Sequence, residues 1–429
     1  MPKLTQVQAW ETPQKKEQLI RLYGESENEL KRQAERYAEL CRLYGKNFRE
    51  SDELRIFSAP GRSEIAGNHT DHQYGKVIAA AVNLDIIAAA EARDDAVIEL
   101  ASQGYGRCER IDLKDLSVRE ADKGRSAALI RGVASGIKKK GYKIGGFTAY
   151  TTSKVPSGSG LSSSAAFEIL LITILNGLYN DFSIPPLEQA QIGQYAENVH
   201  FDKPSGLLDQ SGCALGGFAF LDFAGGGLPK MEQIQVNFAD AGYDLIITQT
   251  GGSHANLTHE YAAIPAEMKA VAEALGHEVM SEVNPVDFYK NIPELRRRIG
   301  DRAVLRALHF ISEQKRVEQQ AEDLKAGNID DFLEQVNASG LSSELQLQNI
   351  TPSGEVKQQE LALALALSRE FLEGKRGACR VHGGGFGGTI QAYIAHEDAP
   401  AYCLIMDSIF GHGSAQKIRI RPVGGVEIK

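Results

Sequence analysis

The residues best suited to chemistry lie in Val155-Pro156-Ser157-Gly158-Ser159-Gly160-Leu161-Ser162-Ser163-Ser164-Ala165-Ala166. A β-rich run ends at Thr152, a Gly/Ser loop follows, and an apolar helix over residues 161–179 begins at once. A helix N-terminus carries unpaired N–H groups and about half a positive charge, so it attracts phosphate. Glycines let the backbone approach phosphate oxygens with no Cβ in the way. The serine hydroxyls add donors, and one of them could ligate Mg²⁺. A flexible linker has a similar composition, but it would not feed straight into a helix that is apolar on nearly every side and therefore buried. The chemistry expected is binding of a phosphate group. No GxxxxGK[ST] occurs, so the loop is not of the Walker type.

Three further clusters stand out. His382-Gly383-Gly384-Gly385-Phe386-Gly387-Gly388-Thr389 fits GxGxxG at Gly383, Gly385 and Gly388. The run that follows reads as a strand and not a helix, which argues against a dinucleotide fold. A rigid turn pressed against a flat group or against the phosphate loop is the better reading. Ala59-Pro60-Gly61-Arg62-Ser63-Glu64-Ile65-Ala66-Gly67-Asn68-His69-Thr70-Asp71-His72 packs charged and polar groups between two strands. Pro204-Ser205-Gly206-Leu207-Leu208-Asp209-Gln210 sets a carboxylate in an apolar turn. A buried carboxylate is costly unless paired, so Asp209 needs a cation such as an arginine. Glu197, at the end of a helix, is a second candidate carboxylate.

Taken together, the clusters resemble the motifs of the GHMP sugar and metabolite kinases, and within them the galactokinases. The order GRxNLxGEHTDY, PxxxGLSSSA, GxxDQ and GGGFGG recurs here from about Ser58 onward. The resemblance implies an α+β fold of two lobes, the first like domain 2 of ribosomal protein S5, with the active site in the cleft between them. It implies ATP- and Mg²⁺-dependent phosphorylation of the anomeric hydroxyl of a galacto-sugar. In that scheme Gly158, Ser159, Gly160, Leu161, Ser162, Ser163 and Ser164 wrap the ATP phosphates, and Ser164 and Glu197 hold Mg²⁺. Asp209 faces the anomeric hydroxyl as base or orienter, with Arg62 paired to it. Asn68, His69, Thr70, Asp71, Gly206 and Tyr261 contact the sugar, and Ser102 touches the nucleotide.

Three positions depart from the family's pattern, one of them His72 in place of its usual Tyr. Its usual Asn in the first motif is Glu64 here, and the Glu that normally accepts from the sugar's 6-hydroxyl is Asn68. A neutral amide would also tolerate a carboxylate at C6, so galactose is the leading substrate and galacturonate the alternative. A non-catalytic sugar sensor is a further alternative, disfavoured by the presence of Asp209, Arg62 and the triple serine.

These motifs need elements to position them. Residues 15–44 recur at helical spacing and are broken around Gly24, which predicts two amphipathic helices capping a domain. Strands are expected at 54–58, 77–82, 86–92, 96–101, 147–152, 219–223, 245–250, 389–395 and 418–423. Helices are expected at 127–140, 161–179, 185–200, 304–326 and 354–371. Strand runs segregated from helices favour α+β over a doubly wound sheet. The domains expected are a helical extension over 1–48, a first lobe over 49–225 and a second over 226–429, divided near Gly225-Gly226-Gly227. A net charge of −9 argues against a nucleic-acid or anionic-membrane surface. Five scattered cysteines with no zinc spacing, and no apolar N-terminal stretch, predict a cytoplasmic protein, and the resemblance implies a monomer whose partners are a small sugar and ATP.

Overall fold

A computed structural model of the chain describes residues 6–156, 160–236, 238–251 and 257–429. Helices α1 (Pro13–Tyr23) and α2 (Glu27–Asn47) open it, separated at Gly24. Their apolar stripes, with Trp10, pack on Ile56, Ile87, Ala89 and Tyr150 of the first sheet. This is the helical cap that the spacing predicts.

The sheet beneath the cap is built from β1 (Arg55–Ala66), β2 (Lys76–Ala92), β3 (Val97–Ser102), β4 (Glu109–Asp112) and β5 (Phe147–Ser153). Helix α3 (Ser126–Lys139) precedes β5, and α4 (Ser163–Tyr179), α5 (Pro186–Tyr195) and α6 (Leu208–Leu215) follow it. Strands β6 (Phe218–Asp222) and β7 (Lys230–Ile234) then rejoin the same sheet through β2. The glycines at 225–227 therefore lie in a turn between two paired strands and not at a seam between the sheets. Helix α4 is buried along almost its whole length, as its composition requires.

The second sheet holds β8 (Tyr243–Gln249), β9 (Gly377–His382), β10 (Thr389–Ala395) and β11 (Ala415–Ile418), in the order β11-β8-β10-β9. Around it lie α7 (Thr258–Ala274), α8 (Pro285–Arg298), α9 (Asp301–Ala326), α10 (Ile329–Ser342), α11 (Glu360–Phe371) and α12 (Ala399–Phe410). The last strand, β12 (Val426–Ile428), crosses back and pairs with β1. The first sheet thus runs β12-β1-β2-β5-β3-β4, antiparallel except where β3 meets β5. Helices and mainly antiparallel strands occupy separate regions, which is the α+β arrangement expected.

Several local expectations change: the strand expected at 54–58 runs on to Ala66, and the helix expected from 354 starts only at Glu360. The strands at 77–82 and 86–92 are one seventeen-residue strand. Its polar interruption is absorbed, because Asn83 accepts from the Arg419 backbone and Asp85 is buried in an ion cluster. The strand expected at 418–423 stops at Ile418. Beyond it, Ile420 makes one bridge to Val82, and Arg421 turns inward to the same Asp85.

Asp85 joins four parts of the chain. Its carboxylate accepts from Arg36 at 2.6 Å, Tyr23 at 2.5 Å, Ser58 at 2.5 Å and Arg421 at 3.2 Å. Burial alone would raise its pKa, but the two guanidiniums and the hydroxyl donors outweigh burial and hold it below the ordinary aspartate value. Asp85→Asn leaves two buried arginines facing a neutral amide, so a loss of about 3–5 kcal/mol is expected in urea unfolding at pH 7. A group whose pKa is depressed on folding contributes its stability above its unfolded value and loses it as pH falls through the folded one. The gap between wild type and variant should therefore narrow below about pH 4. A loss under about 1 kcal/mol at pH 7 would show that the cluster does not hold the cap.

Candidate active site

Arg62 sits in β1 just past an irregularity in its pairing with β2. Its backbone N–H reaches the Leu161 carbonyl at 3.1 Å, which ties the strand to the start of the Gly/Ser segment. The guanidinium donates to Asp209 Oδ1 from Nε at 2.8 Å and from one terminal nitrogen at 2.5 Å, and its other terminal nitrogen donates to the Gly160 carbonyl. Asp209 projects from the first turn of α6, and its second oxygen accepts from the Ser162 hydroxyl. Ser162 holds a left-handed φ of 53° just ahead of α4, which aims its side chain there. Burial pushes the Asp209 pKa up, yet the Arg62 charge and the hydrogen bonds from Ser162 and Arg62 outweigh it, and the group stays ionised below the usual aspartate range.

A second carboxylate lies nearby. Glu197, on a π-helical turn over Ala196–Phe201, is fully buried. Its Oε1 accepts from Ser164 at 2.8 Å and Lys203 at 2.7 Å, and Oε2 accepts from Gln210 at 3.0 Å. Gln210 also donates to Glu168, whose carboxyl is pushed well above the ordinary range by burial and by Glu197. Ser164 Oγ and Glu197 form a pair of hard oxygen donors, the chemistry that suits Mg²⁺. Among the described residues no three His, Cys, Asp or Glu side chains converge as a metal cage. A two-residue site fits an ion that takes its other ligands from phosphate and water. Ser163 and Ser164 also end a cavity of about 560 Å³ lined by Leu100, Ser102, Leu129 and Phe167. Ser102 bonds Thr151 at 2.8 Å on its wall.

The loop after β1 divides into groups that face the cleft and groups that do not. His69 bonds the Gly384 carbonyl through Nε2 at 2.9 Å. A carbonyl only accepts, so Nε2 carries the hydrogen; burial lowers the ring's pKa to about 4 and keeps it neutral. Asp71 faces Gly206, where an added Cβ would lie 3.0 Å from Oδ2. Thr70 and Asn68 turn inward instead. Thr70 Oγ1 closes its own turn onto the Gly67 and Lys76 carbonyls. Asn68 is fully buried, donating to Glu64 at 2.9 Å and the Gly383 carbonyl at 2.8 Å while accepting from Ser343 and Asn349. Every hydrogen-bonding position of its amide is used, so neither Asn68 nor Thr70 offers a group to a sugar as expected.

The glycine-rich turn supports the rest. His382 takes Ser63 at 3.0 Å and Thr389 at 2.9 Å, and an added Cβ on Gly160 would sit 3.1 Å from its ring. Tyr261 donates to the Gly385 carbonyl at 2.7 Å and meets Phe386 edge-on at 5.4 Å. The turn thus presses on both the Gly/Ser segment at Gly160 and a flat ring.

The sequence matches the family model for the GHMP kinases N terminal domain over residues 128–217 and that for the galactokinase galactose-binding signature over 42–92. It is 30% identical to the galactokinase of Lactococcus lactis subsp. lactis strain IL1403, over 85% of this chain and 88% of that protein. The chain belongs to the galactokinase family. The galactokinase of Pyrococcus furiosus is 31% identical, with 80% of this chain and 89% of that protein aligned. The crystal structure of Lactococcus lactis galactokinase complexed with galactose superposes with a TM-score of 0.76 at 25% identity, covering 91% of this chain and 99% of that one. A mevalonate kinase shares the fold, with a TM-score of 0.59 at 17% identity.

Within the galactokinase motifs, Arg62, Asp209, Ser162, Ser164 and Glu197 come together as one cluster. Gly158 and Ser159 lie outside the described residues. The sequence reading missed Gln210, which cross-links two carboxylates, and Lys203, which covers Glu197. Both stand within six residues of Asp209; Gln210, beside the carboxylate and just after Leu207-Leu208, carried a readable signal, whereas Lys203 in its polar turn carried none. Gly160 has a φ of 71° and almost no space for a side chain. Gly160→Val should weaken ATP binding at least about tenfold in calorimetry, with sugar affinity nearly unchanged, because strain at positive φ and displacement of His382 both deform the loop. Unchanged ATP affinity would count against a phosphate role for this loop.

Proposed function

We propose that the chain is an ATP- and Mg²⁺-dependent galactokinase, transferring the γ-phosphoryl group of ATP to the anomeric hydroxyl of galactose to give galactose 1-phosphate and ADP. The observation that carries this reading is Asp209, ionised by Arg62 and set directly beside a Gly/Ser helix N-terminus. ATP lies with its base in the cavity near Ser102 and its phosphates along Leu161, Ser162, Ser163 and Ser164. Galactose lies between Asp209 and the wall formed by His69, Asp71, Gly206 and Tyr261.

Phosphoryl transfer depends on positioning and electrostatics more than on covalent help from the protein. Asp209 accepts a hydrogen bond from the anomeric hydroxyl, orients its oxygen toward the phosphorus and takes the proton as the new O–P bond forms. Arg62 holds the carboxylate in place and offsets charge at the transferring group. Mg²⁺, when bound, offsets the negative charge of the phosphate oxygens; Ser164 and Glu197 would hold it. Every group named comes from one chain, so a monomer is the proposed working unit. Buried free thiols at Cys41, Cys213 and Cys379 fit a reducing cytoplasm. A non-catalytic sugar sensor would have no need of an arginine that keeps Asp209 ionised.

Two measurements test the assignment. Asp209→Asn should bind galactose and ATP normally yet lower kcat by about 10²–10⁴, the usual worth of a positioned proton acceptor. Near-wild-type turnover would move the role to another carboxylate. The pH profile is the second. Since the Asp209 pKa is depressed, its ionised form persists until pH falls below the ordinary aspartate value, and kcat/KM should show no acid limb from this group above about pH 5. Arg62→Met leaves burial as the dominant influence, so an acid limb should move up by about a unit or more.

A further inference from the structure

We propose that Glu64 is the specificity-determining residue for the substituent at C6 of the sugar, admitting a hydroxyl and rejecting a carboxylate. This inference rests on the galactokinase reading above. Alternate residues of a strand share a face, so Glu64 lies on the face of β1 that carries Arg62. Two residues along a strand span about 6.6 Å. That separation is of the order of a hexopyranose measured from its anomeric oxygen to its C6 substituent. A sugar whose anomeric hydroxyl meets Asp209 therefore brings its far end toward Glu64.

The glutamate is held as a presented group would be. Its Oε1 accepts from Asn68 Nδ2 at 2.9 Å and from Arg380 at 3.2 Å. Arg380 is fully buried, and its Nε and second terminal nitrogen donate to the Val381 and Ile65 carbonyls, which holds the guanidinium in place. Oε2 makes no hydrogen bond to the described residues, and 14% of the side chain remains accessible. Burial raises the Glu64 pKa above the ordinary glutamate value, while the Arg380 charge, the Asn68 hydrogen bond and Arg62 favour the carboxylate.

Asn68 cannot share this task, since all of its amide's bonds are made inside the protein. Compared with the motif pattern of the family, carboxylate and amide have exchanged positions 64 and 68, and here they meet across one hydrogen bond. The negative charge has not left the sugar site; it has moved four residues. An accepting carboxylate suits a 6-hydroxyl. A uronate would bring a second carboxylate against it, with Asp71 adding to the repulsion. The tolerance for galacturonate expected from a neutral amide at 68 does not apply.

The test is kcat/KM of the purified full-length protein, with saturating ATP and Mg²⁺, on galactose, galacturonate and 6-deoxygalactose. Wild type should prefer galactose to both others by at least about tenfold, the lower end for one hydrogen bond to a charged group. Glu64→Gln should raise KM for galactose about tenfold with kcat little changed. It should also shrink the preference for galactose over galacturonate by at least the same factor. Glu64→Asp keeps a charge for Arg380 and serves if the glutamine variant fails to fold. Its shorter reach should erode activity on galactose while leaving 6-deoxygalactose nearly untouched. Equal losses on both sugars would assign Glu64 a merely structural role and overturn the proposal, as would a galactose-to-galacturonate preference that survives Glu64→Gln. Wild-type preference for galacturonate would overturn it too. A wild type active on none of the three sugars refutes the galactokinase reading itself, whereas activity on galactose with an unmoved preference refutes only the role of Glu64.

Discussion

A carboxylate that must stay ionised inside a closed cleft sets the terms for the rest of this molecule. Asp209 keeps 26% of its side chain accessible, yet its partial burial still pushes its pKa up. Arg62 outweighs that, and it can do so only because β1 is irregular where it emerges and because α6 begins with Asp209 in its first turn. The same guanidinium donates to the Gly160 carbonyl. The guanidinium that keeps Asp209 ionised therefore also ties down the start of the Gly/Ser segment at Gly160. Misplacing either end moves the other.

The glycine-rich turn between β9 and β10 extends that coupling to the second sheet. His382 rests under the phosphate loop and is held by Ser63 on one side and Thr389 on the other. Burial, with the charges of Arg62 and Arg380 nearby, depresses its pKa to about 3, so it is a neutral packing and hydrogen-bonding strut at any physiological pH. Gly384 and Gly385 come against Tyr261 and Asn349 so closely that an added Cβ would overlap them. Close backbone approach, and not nucleotide binding, explains the concentration of glycine there.

Much of this could be read from residue types. A Gly/Ser loop followed by an apolar run specifies the start of a buried helix, and the cost of burying Asp209 demands an arginine, which Arg62 supplies. The separation of helices from strands followed from segment order. What failed were questions of direction. A single sequence places Asn68 and Thr70 in a polar loop but does not say which side chains turn inward, and both are consumed by backbone and neighbouring amides. The break expected at Asn83–Asp85 vanished because Arg36, Arg421 and the Arg419 backbone satisfy those polar groups from distant parts of the chain. Such partners have no local signature. Glycines at 225–227 mark a turn, but only pairing shows that β7 returns to the sheet it left.

The position of β12 bears on how the molecule is made. Strand β1 lies between β2, which follows it directly, and β12, so Arg55 pairs with Glu427 across 372 residues of sequence. A chain emerging from the ribosome usually completes one domain before the next. Here the cap, the first sheet and the Asp85 cluster stay open on one side until Arg421 and β12 have been synthesised, by which time the whole second sheet already exists. Contacts of such sequence separation are slow to form because loop closure must precede their reward. The exposed edge of β1 is thus a hazard confined to synthesis and refolding, and the final dozen residues act as a latch that closes the early part of the protein last.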